Sequence, residues 1–316
     1  MSRTFFVVGP TATGKSELAA DVARETGSEI VSADAFQVYQ GLDLLTAKPD
    51  ASTLAEAPHH LISTTPLHEE MNAEKYRRAA SRAVAEIHSR GKLAIVVGGS
   101  GLYIKALTHG LAPMPESDPK LRERLNFMSL DELYVQLAEL DPEAGQKIDV
   151  KNRRRLVRAV EICLLAGKPA SEVVAGVADS GQPGSAIPAI GVFVFRDREE
   201  LYARVNQRVE AMFETGVIEE VRAAGKVSST ASQMIGFREI RQLLDGPADA
   251  RSISQCVAAI KQATRRYAKR QLTWFRRQTN FLPLNLSLLT HNEAVNWILL
   301  RMRSEHRKVS GVRAKG

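Results

Sequence analysis

Cysteine is nearly missing from this chain. Its two cysteines, Cys163 and Cys256, lie far apart and outside any C-x-x-C spacing, which excludes a disulfide framework and a cysteine-rich zinc site. Long apolar runs are missing too. The N-terminal run, Phe5-Phe6-Val7-Val8, stops at Gly9-Pro10, so neither a signal peptide nor a membrane span is expected and a cytoplasmic location is the default. Acids are scarce in one place: residues 261–316 hold thirteen Lys/Arg against Glu293 and Glu305 alone. That block carries +11 in a chain whose net charge is +7, so the first 260 residues sum to −4, and charge so concentrated points to a polyanionic partner. No internal repeat is visible. With 316 residues, 44% of them hydrophobic and 25% charged, the chain can build one large globular domain or two smaller ones.

What is present begins with a phosphate cradle. The first strand signal runs directly into Gly9, Pro10, Thr11, Ala12, Thr13, Gly14, Lys15 and Ser16, followed by an amphipathic pattern in Leu18, Ala19, Val22 and Ala23. This is G-x-x-x-x-G-K-[ST] between a strand and a helix, the setting the motif requires. Glycines let successive backbone N–H groups turn inward around phosphate oxygens, and Lys15 adds a positive charge. The Ser16 hydroxyl is placed to hold Mg²⁺. A plain glycine turn is the bland alternative, and the strand and helix on either side argue against it.

Strands are expected at 4–8, 29–32, 93–97 and 189–195, with helical patterns between them, best at 73–90 where Gly91 supplies the stop. Strands alternating with helices imply an α/β, doubly wound parallel sheet core. Strand signals vanish from 114 to 188, where helices are expected at 120–140 and 152–167 before a loose Gly/Ser/Pro/Ala stretch at 175–188. The reading is a core in two parts, 1–113 and 189–300, around a helical insertion at 114–188. The basic tail 301–316 is expected to fray.

Several further residues carry chemistry. The second strand ends at Ser32-Ala33-Asp34, and ligands in open α/β sheets lie beyond the carboxyl ends of the strands. Asp34 is thus a candidate general base or metal-ligating carboxylate; capping the next turn is its alternative role. The stretch from Gln37 through Pro49 reads as a surface loop near the site. The third strand ends in Gly98-Gly99-Ser100-Gly101, without the aspartate that ATPases and GTPases place there. Ser100 can offer its hydroxyl to a phosphate, although a tight strand-to-helix turn explains the same spacing. Five cations crowd residues 151–158, and residues 261–277 carry seven with no acid. Lys261, Arg265 and Lys269 recur every four residues and share a helix face. Single-sign charge interleaved with Tyr267, Trp274 and Phe275 is a nucleic-acid pattern, to be weighed against a solvated helix face. His59-His60 lacks a third ligand nearby and reads as loop or packing.

Taken together, GPTATGKS at 9–16, SADAFQVYQGLDLLTAKP at 32–49, PHHLI at 58–62, VVGGSGLYIKAL at 96–107, RRLVRAVE at 154–161, IGFREI at 235–240 and KRQLTWFR at 269–276 resemble the bacterial tRNA dimethylallyltransferase (tRNA isopentenyltransferase) family. The resemblance covers nearly the whole chain. It implies a P-loop NTPase-like core with a helical insertion domain. It also implies transfer of a dimethylallyl group from dimethylallyl diphosphate to N6 of the adenosine immediately 3′ of the tRNA anticodon, with Mg²⁺ and release of diphosphate.

By family position, Thr11 and Ser100 contact the diphosphate, Arg122 approaches its far side, and Asp34 orients N6 and accepts its proton. The catalytic set implied is Asp34, Lys15, Ser100 and Arg122. The resemblance assigns tRNA contacts to Asp34, Ala35, Phe36 and Gln37, to Arg154, Arg155 and Arg158 in the insertion, and to Gln233, Gly236 and Arg238. The last motif adds Lys269, Arg270, Gln271, Thr273, Trp274 and Arg276. Trp274 could equally be a stacking surface or packed core. The chain departs from the family pattern at Ala35, Gln40 and Leu45, in the loop that meets tRNA. A monomer is expected. Two other readings compete: a small-molecule or nucleotide kinase, which has no need of the basic C-terminal block, and a non-catalytic RNA-binding protein, which would show no chemistry.

Overall fold

The computed structural model describes residues 4–111, 114–173, 187–247 and 249–311. Six strands form one sheet: β1 (Thr4–Val8), β2 (Glu29–Ser32), β3 (His59–His60), β4 (Ala94–Gly98), β5 (Gly191–Phe195) and β6 (Phe281–Asn285). Their order is β3-β2-β4-β1-β5-β6 and every pairing is parallel. The fold is α/β and P-loop NTPase-like. Alternation along β1 serves both faces: Phe6 and Val8 enter one apolar core, Phe5 and Val7 the other. Two-sided burial is why the strands read as unbroken apolar runs.

The helices following the first four strands are α1 (Lys15–Thr26), α2 (Ala51–Glu56), α3 (Ala73–Ser89) and α4 (Gly101–His109). Leu18, Ala19, Val22 and Ala23 of α1 pack on the Phe5 face of the sheet, while Tyr76, Ala80, Val84 and Ile87 of α3 pack on the Phe6 face. Gly27, in the left-handed region at φ 64, ends α1.

The chain divides into two compact units, Met1–His109 with Ala186–Gly316, and Gly110–Ser185. The second unit is helical: α5 (Pro119–Phe127), α6 (Leu130–Leu140), α7 (Pro142–Lys147) and α8 (Arg153–Ala166). Its own core joins Leu125, Leu133, Leu137, Leu156, Val157 and Val160. The single helix expected over 120–140 is two, because Ser129 and Glu132 form a reciprocal capping box that starts a new helix. The loose stretch expected at 175–188 lies mostly outside the described residues.

The remainder of the first unit holds α9 (Arg198–Glu214), α10 (Val217–Ala223), α11 (Phe237–Leu244), α12 (Ala250–Phe275) and α13 (His291–Gly311). Two strands escape sequence patterning. The β6 strand is short and contains Pro283, which a sheet edge tolerates. The β3 strand is the pair His59–His60 itself, at the opposite edge, and His60 Nε2 lies 2.8 Å from the buried Glu29 carboxylate. The tail expected to fray from residue 301 is helical to Gly311, anchored where Ile298 and Met302 bury against the Phe5 face. Among the described residues no helix is long and apolar enough to cross a membrane.

Candidate active site

The turn between β1 and α1 places Gly9 through Ser16 beyond the carboxyl end of a central strand. Ala12 and Gly14 both have positive φ, 64° and 89°, which turns the peptide units of the loop. Three arginines bond its carbonyls and one hydroxyl: Arg196 Nε donates to Thr13 O (2.9 Å), Arg204 Nε to Ala12 O (2.8 Å) and Arg208 Nη1 to Thr11 Oγ1 (3.0 Å). Thr13 Oγ1 donates to Pro10 O and is fully buried. With the outward acceptors occupied, the loop is braced in the shape that a phosphate requires.

Gln271 of α12 completes the bracing. Its Oε1 accepts the Thr11 N–H (3.0 Å) while its Nε2 donates to Gly99 O (2.9 Å), so one buried amide ties the phosphate loop to the turn after β4. This residue was expected at the RNA; both ends of its amide are instead committed inside the protein. The glycines of that turn are needed for the same close approach. A Cβ at Gly99 would strike the Gln271 amide, and one at Gly101 would lie 2.7 Å from the Trp274 indole. Trp274 is accordingly half-buried against α4 and edge-on to Phe275, so part of its indole is packed within the protein.

Lys15 Nζ donates to Pro10 O across the loop. Burial pulls its pKa down to about 8, with Asp34 resisting and Arg208 adding to the fall. Arg208 is drawn down to about 10, again by burial first and against the pull of Asp34. These two cations and Asp34 thus share one electrostatic neighbourhood. Asp34 Oδ1 accepts from Phe36 N (2.9 Å) and Gln37 N (3.3 Å), so the turn-capping role and the site role coexist in one side chain. Its Oδ2 has no hydrogen-bond partner among the described residues. Ser100 fastens the same loop: its N–H donates to Ala33 O and its Oγ accepts the Ala35 N–H (2.9 Å).

Asp34 borders two cavities. One, about 350 Å³, is lined by Lys15, Ser16, Ser32, Gln37, His59 and Gly98 among others. The second, about 560 Å³, has Thr11, Asp34 and Arg208 among its polar lining, with Phe36, Leu45, Met212, Met234, Ile260 and Tyr267 on its other walls. Ser16 and Asp34 offer a hydroxyl and a carboxylate to the first cavity. Oxygen donors of this kind fit Mg²⁺, which takes the rest of its ligands from water and substrate phosphates. No group of three or more His, Cys, Asp or Glu able to hold a metal occurs among the described residues.

The residues expected at RNA divide by accessibility. Lys269, Arg270 and Thr273 are exposed on α12 and Arg276 at its C-terminal cap, and Arg270 lies over the Tyr267 ring. Two members of the expected stripe are engaged within the protein, Lys261 with Glu210 and Arg265 with Asn206. Gln233 and Arg238 are exposed, whereas Gly236 is buried with φ 95 at the start of α11. Phe36 lines the second cavity, and Gln37 spends its amide on Ala47 O. In the helical unit Arg154 and Arg155 are exposed at the start of α8. Arg122 and Arg158, expected at diphosphate and RNA, both bond the fully buried Glu161; that carboxylate would otherwise be an uncompensated buried charge. Sequence reasoning missed Arg196, Arg204 and Arg208. The available signal was Arg204 and Arg208 four residues apart, on the helix following a strand that pairs with β1.

A family model described as IPP transferase matches residues 37–278. The chain belongs to that family. It is 44% identical over 277 residues to the tRNA dimethylallyltransferase 1 of Citrifermentans bemidjiense, covering 86% of this chain and 88% of that one. The tRNA dimethylallyltransferase of Geobacter sulfurreducens is 42% identical over 286 residues, covering 87% and 90%. Among solved structures, the tRNA isopentenylpyrophosphate transferase of Bacillus halodurans superposes with TM-score 0.69 at 30% identity, over 98% of this chain and all of that one. A eukaryotic dimethylallyltransferase acting on tRNA gives TM-score 0.71 at 26% identity, over 89% of this chain and 73% of that one.

Proposed function

We propose that this IPP transferase moves a dimethylallyl group from dimethylallyl diphosphate to N6 of the adenosine 3′ of a tRNA anticodon. The observation that carries the reading is Asp34, a carboxylate with one uncommitted oxygen, bordering a cationic cavity and an apolar one at once. The diphosphate fits the braced loop, where its charge meets inward amides, Lys15 and Arg208. The hydrocarbon end of the donor fits the apolar walls of the second cavity.

Adenine N6 is a weak nucleophile because its lone pair is delocalised into the ring. The allylic C1–O bond therefore breaks early, and the developing negative charge on the leaving diphosphate is met by preorganised positive groups. The new bond joins N6 to C1, and the N6 proton passes to the free oxygen of Asp34. The Phe36 and Gln37 amides hold the other oxygen and fix the carboxylate's direction. Mg²⁺, held by Ser16 and the substrate's own phosphate oxygens, would supply further positive charge to the diphosphate. The target base must leave its stack to enter the pocket, and the exposed cations of α12 hold the phosphodiester backbone meanwhile. The reading places the protein in the cytoplasm with its tRNA, acting as a monomer.

The test is incubation of the purified chain with dimethylallyl diphosphate, Mg²⁺ and an unmodified tRNA. One added C5H8 unit on the adenosine, read by mass spectrometry, is the expected result. Turnover that consumes ATP instead would establish the kinase alternative, and tRNA binding with no chemistry the non-catalytic one.

A further inference from the structure

We propose that Glu161 is a positioning residue for tRNA: its buried carboxylate holds Arg122 and Arg158 as one two-armed clamp on the phosphodiester backbone, so that a negative charge strengthens the grip on a polyanion. This rests on the reading of tRNA as the substrate.

The carboxylate of Glu161 is fully buried in the helical unit. Its Oε1 pairs with Arg122 Nε (3.0 Å) and accepts from the Ser117 hydroxyl (3.0 Å) and the Asp118 N–H (3.1 Å). Its Oε2 accepts from Arg122 Nη2 (3.1 Å) and Arg158 Nη1 (2.6 Å). Arg122 therefore faces both oxygens with one edge of its planar fork, the bidentate arrangement. Arg158 is held twice, because its Nη2 also donates to Pro115 O (2.9 Å). Burial pushes the carboxyl pKa up, but the bonds from Arg158, Arg122 and Ser117 outweigh this and hold it below the usual carboxylate range. The group is ionised at neutral pH.

The two arginines come from different helices, α5 and α8, and meet at this one anion. Each side chain nevertheless stays 31% exposed, so both reach solvent while their partner does not. On α8, Arg154 and Arg155 lie four and three residues before Arg158 and are exposed, on the same side of the helix. A run of four cations fits a chain of phosphodiesters and exceeds what one small diphosphate can engage. Charge counting alone says that Glu161 opposes such a partner, since it cancels one of two positive charges. Orientation says the reverse. A free arginine gives up rotamer freedom when it binds, whereas these two are fixed beforehand, by a carboxylate too deep to meet the RNA itself.

The experiment measures tRNA binding by filter titration across salt concentrations, using full-length protein and an unmodified tRNA, with dimethylallyl diphosphate affinity followed by calorimetry. Glu161→Gln keeps the length of the side chain and removes its charge. It should weaken tRNA binding by about tenfold, a size usual for members of one hydrogen-bond network, and lower the salt slope by about 0.7 for each phosphate released. Dimethylallyl diphosphate affinity should stay as it was. In protein carrying Arg122→Gln and Arg158→Gln, adding Glu161→Gln should change tRNA affinity by less than about twofold, because the carboxylate acts only through those arginines. If Glu161→Gln fails a thermal-melt check, Arg122→Lys with Arg158→Lys takes its place: both charges remain, the forks are lost, and binding should again weaken about tenfold. Unchanged or tighter tRNA binding in the folded variant, the outcome that charge alone demands, would overturn the role of Glu161. So would an equal loss in the background lacking both arginines, which would mark it as support for the fold, or a loss confined to dimethylallyl diphosphate, which would put the clamp at the donor. Failure of wild type to bind tRNA would instead overturn the reading on which the role rests.

Discussion

Asp34 divides its two oxygens between local structure and chemistry, and the division makes a sharp test possible. Asparagine can keep the Oδ1 bonds to the Phe36 and Gln37 amides while losing the proton acceptor. Asp34→Asn should therefore cut kcat by about 10²–10⁴-fold, the usual contribution of a general base, with tRNA affinity nearly unchanged; single-turnover kinetics beside a filter-binding titration would show both. Activity within a few-fold of wild type would remove Asp34 from the role. Lys15 gives a pH signature. Burial lowers its pKa to about 8, so in the free protein its charge is present below that pH and lost as pH rises through it. Diphosphate binding should then weaken above pH 8, by at most about tenfold per pH unit, because binding must restore the proton. Calorimetric titration from pH 7 to 9.5 should show this slope with proton uptake, and Lys15→Arg should flatten it. Constant affinity across the range would place the charge elsewhere.

At the scale of elements, α12 is the informative one. Twenty-six residues long, it buries Cys256, Ile260, Ala268, Gln271 and Phe275 on one side and exposes Arg266, Lys269 and Arg270 on others, with Arg276 and Arg277 exposed just past its end. Replacing Lys269, Arg270 and Arg276 together by alanine should weaken tRNA binding and lower its salt slope by about 0.7–0.9 for each phosphate left without its cation. Dimethylallyl diphosphate affinity should stay as it was. Lys261→Ala, by contrast, should leave the slope unchanged, because that cation is already neutralised by Glu210; equal effects from both variants would show that exposure does not sort the stripe. The single-sign charge of this helix was legible in the sequence, but its sorting was not. The four-residue repeat of Lys261, Arg265 and Lys269 describes a face without saying whether another helix covers it. The same limit explains Gln271: its tie to Thr11 and Gly99 comes from tertiary approach, which leaves no mark in local spacing. The phosphate loop, the sheet strands at 4–8 and 29–32, and Asp34 beyond the second were legible because each follows from short-range rules of burial and turn geometry. Leu45 was visible only as a departure from a pattern; its place in the cavity wall needed Gly236 and Ile260 brought beside it from far along the chain.

For the molecule as a whole, the complete six-stranded sheet and every brace of the phosphate loop belong to one unit, Met1–His109 with Ala186–Gly316. The chain leaves and re-enters that unit at neighbouring points, since Ile187 N donates to Leu107 O (2.9 Å). Replacing residues 110–186 by a short Gly-Ser linker should therefore leave a cooperatively melting protein that still binds dimethylallyl diphosphate within a few-fold of wild type. Calorimetry of the excised form would check this, and a loss of diphosphate affinity would show that the helical unit contributes to that site. The braces have another consequence, which concerns time. The partners of Thr11, Ala12 and Thr13 lie 183 to 260 positions further along the chain. A growing polypeptide makes its phosphate loop almost at once but cannot clamp it until Gln271 has been added, a delay of roughly 10–50 s at about 5–20 residues per second. Through that interval the nascent loop lacks the supports that hold it open for a ligand, so synthesis itself postpones competence until α12 exists to accompany it.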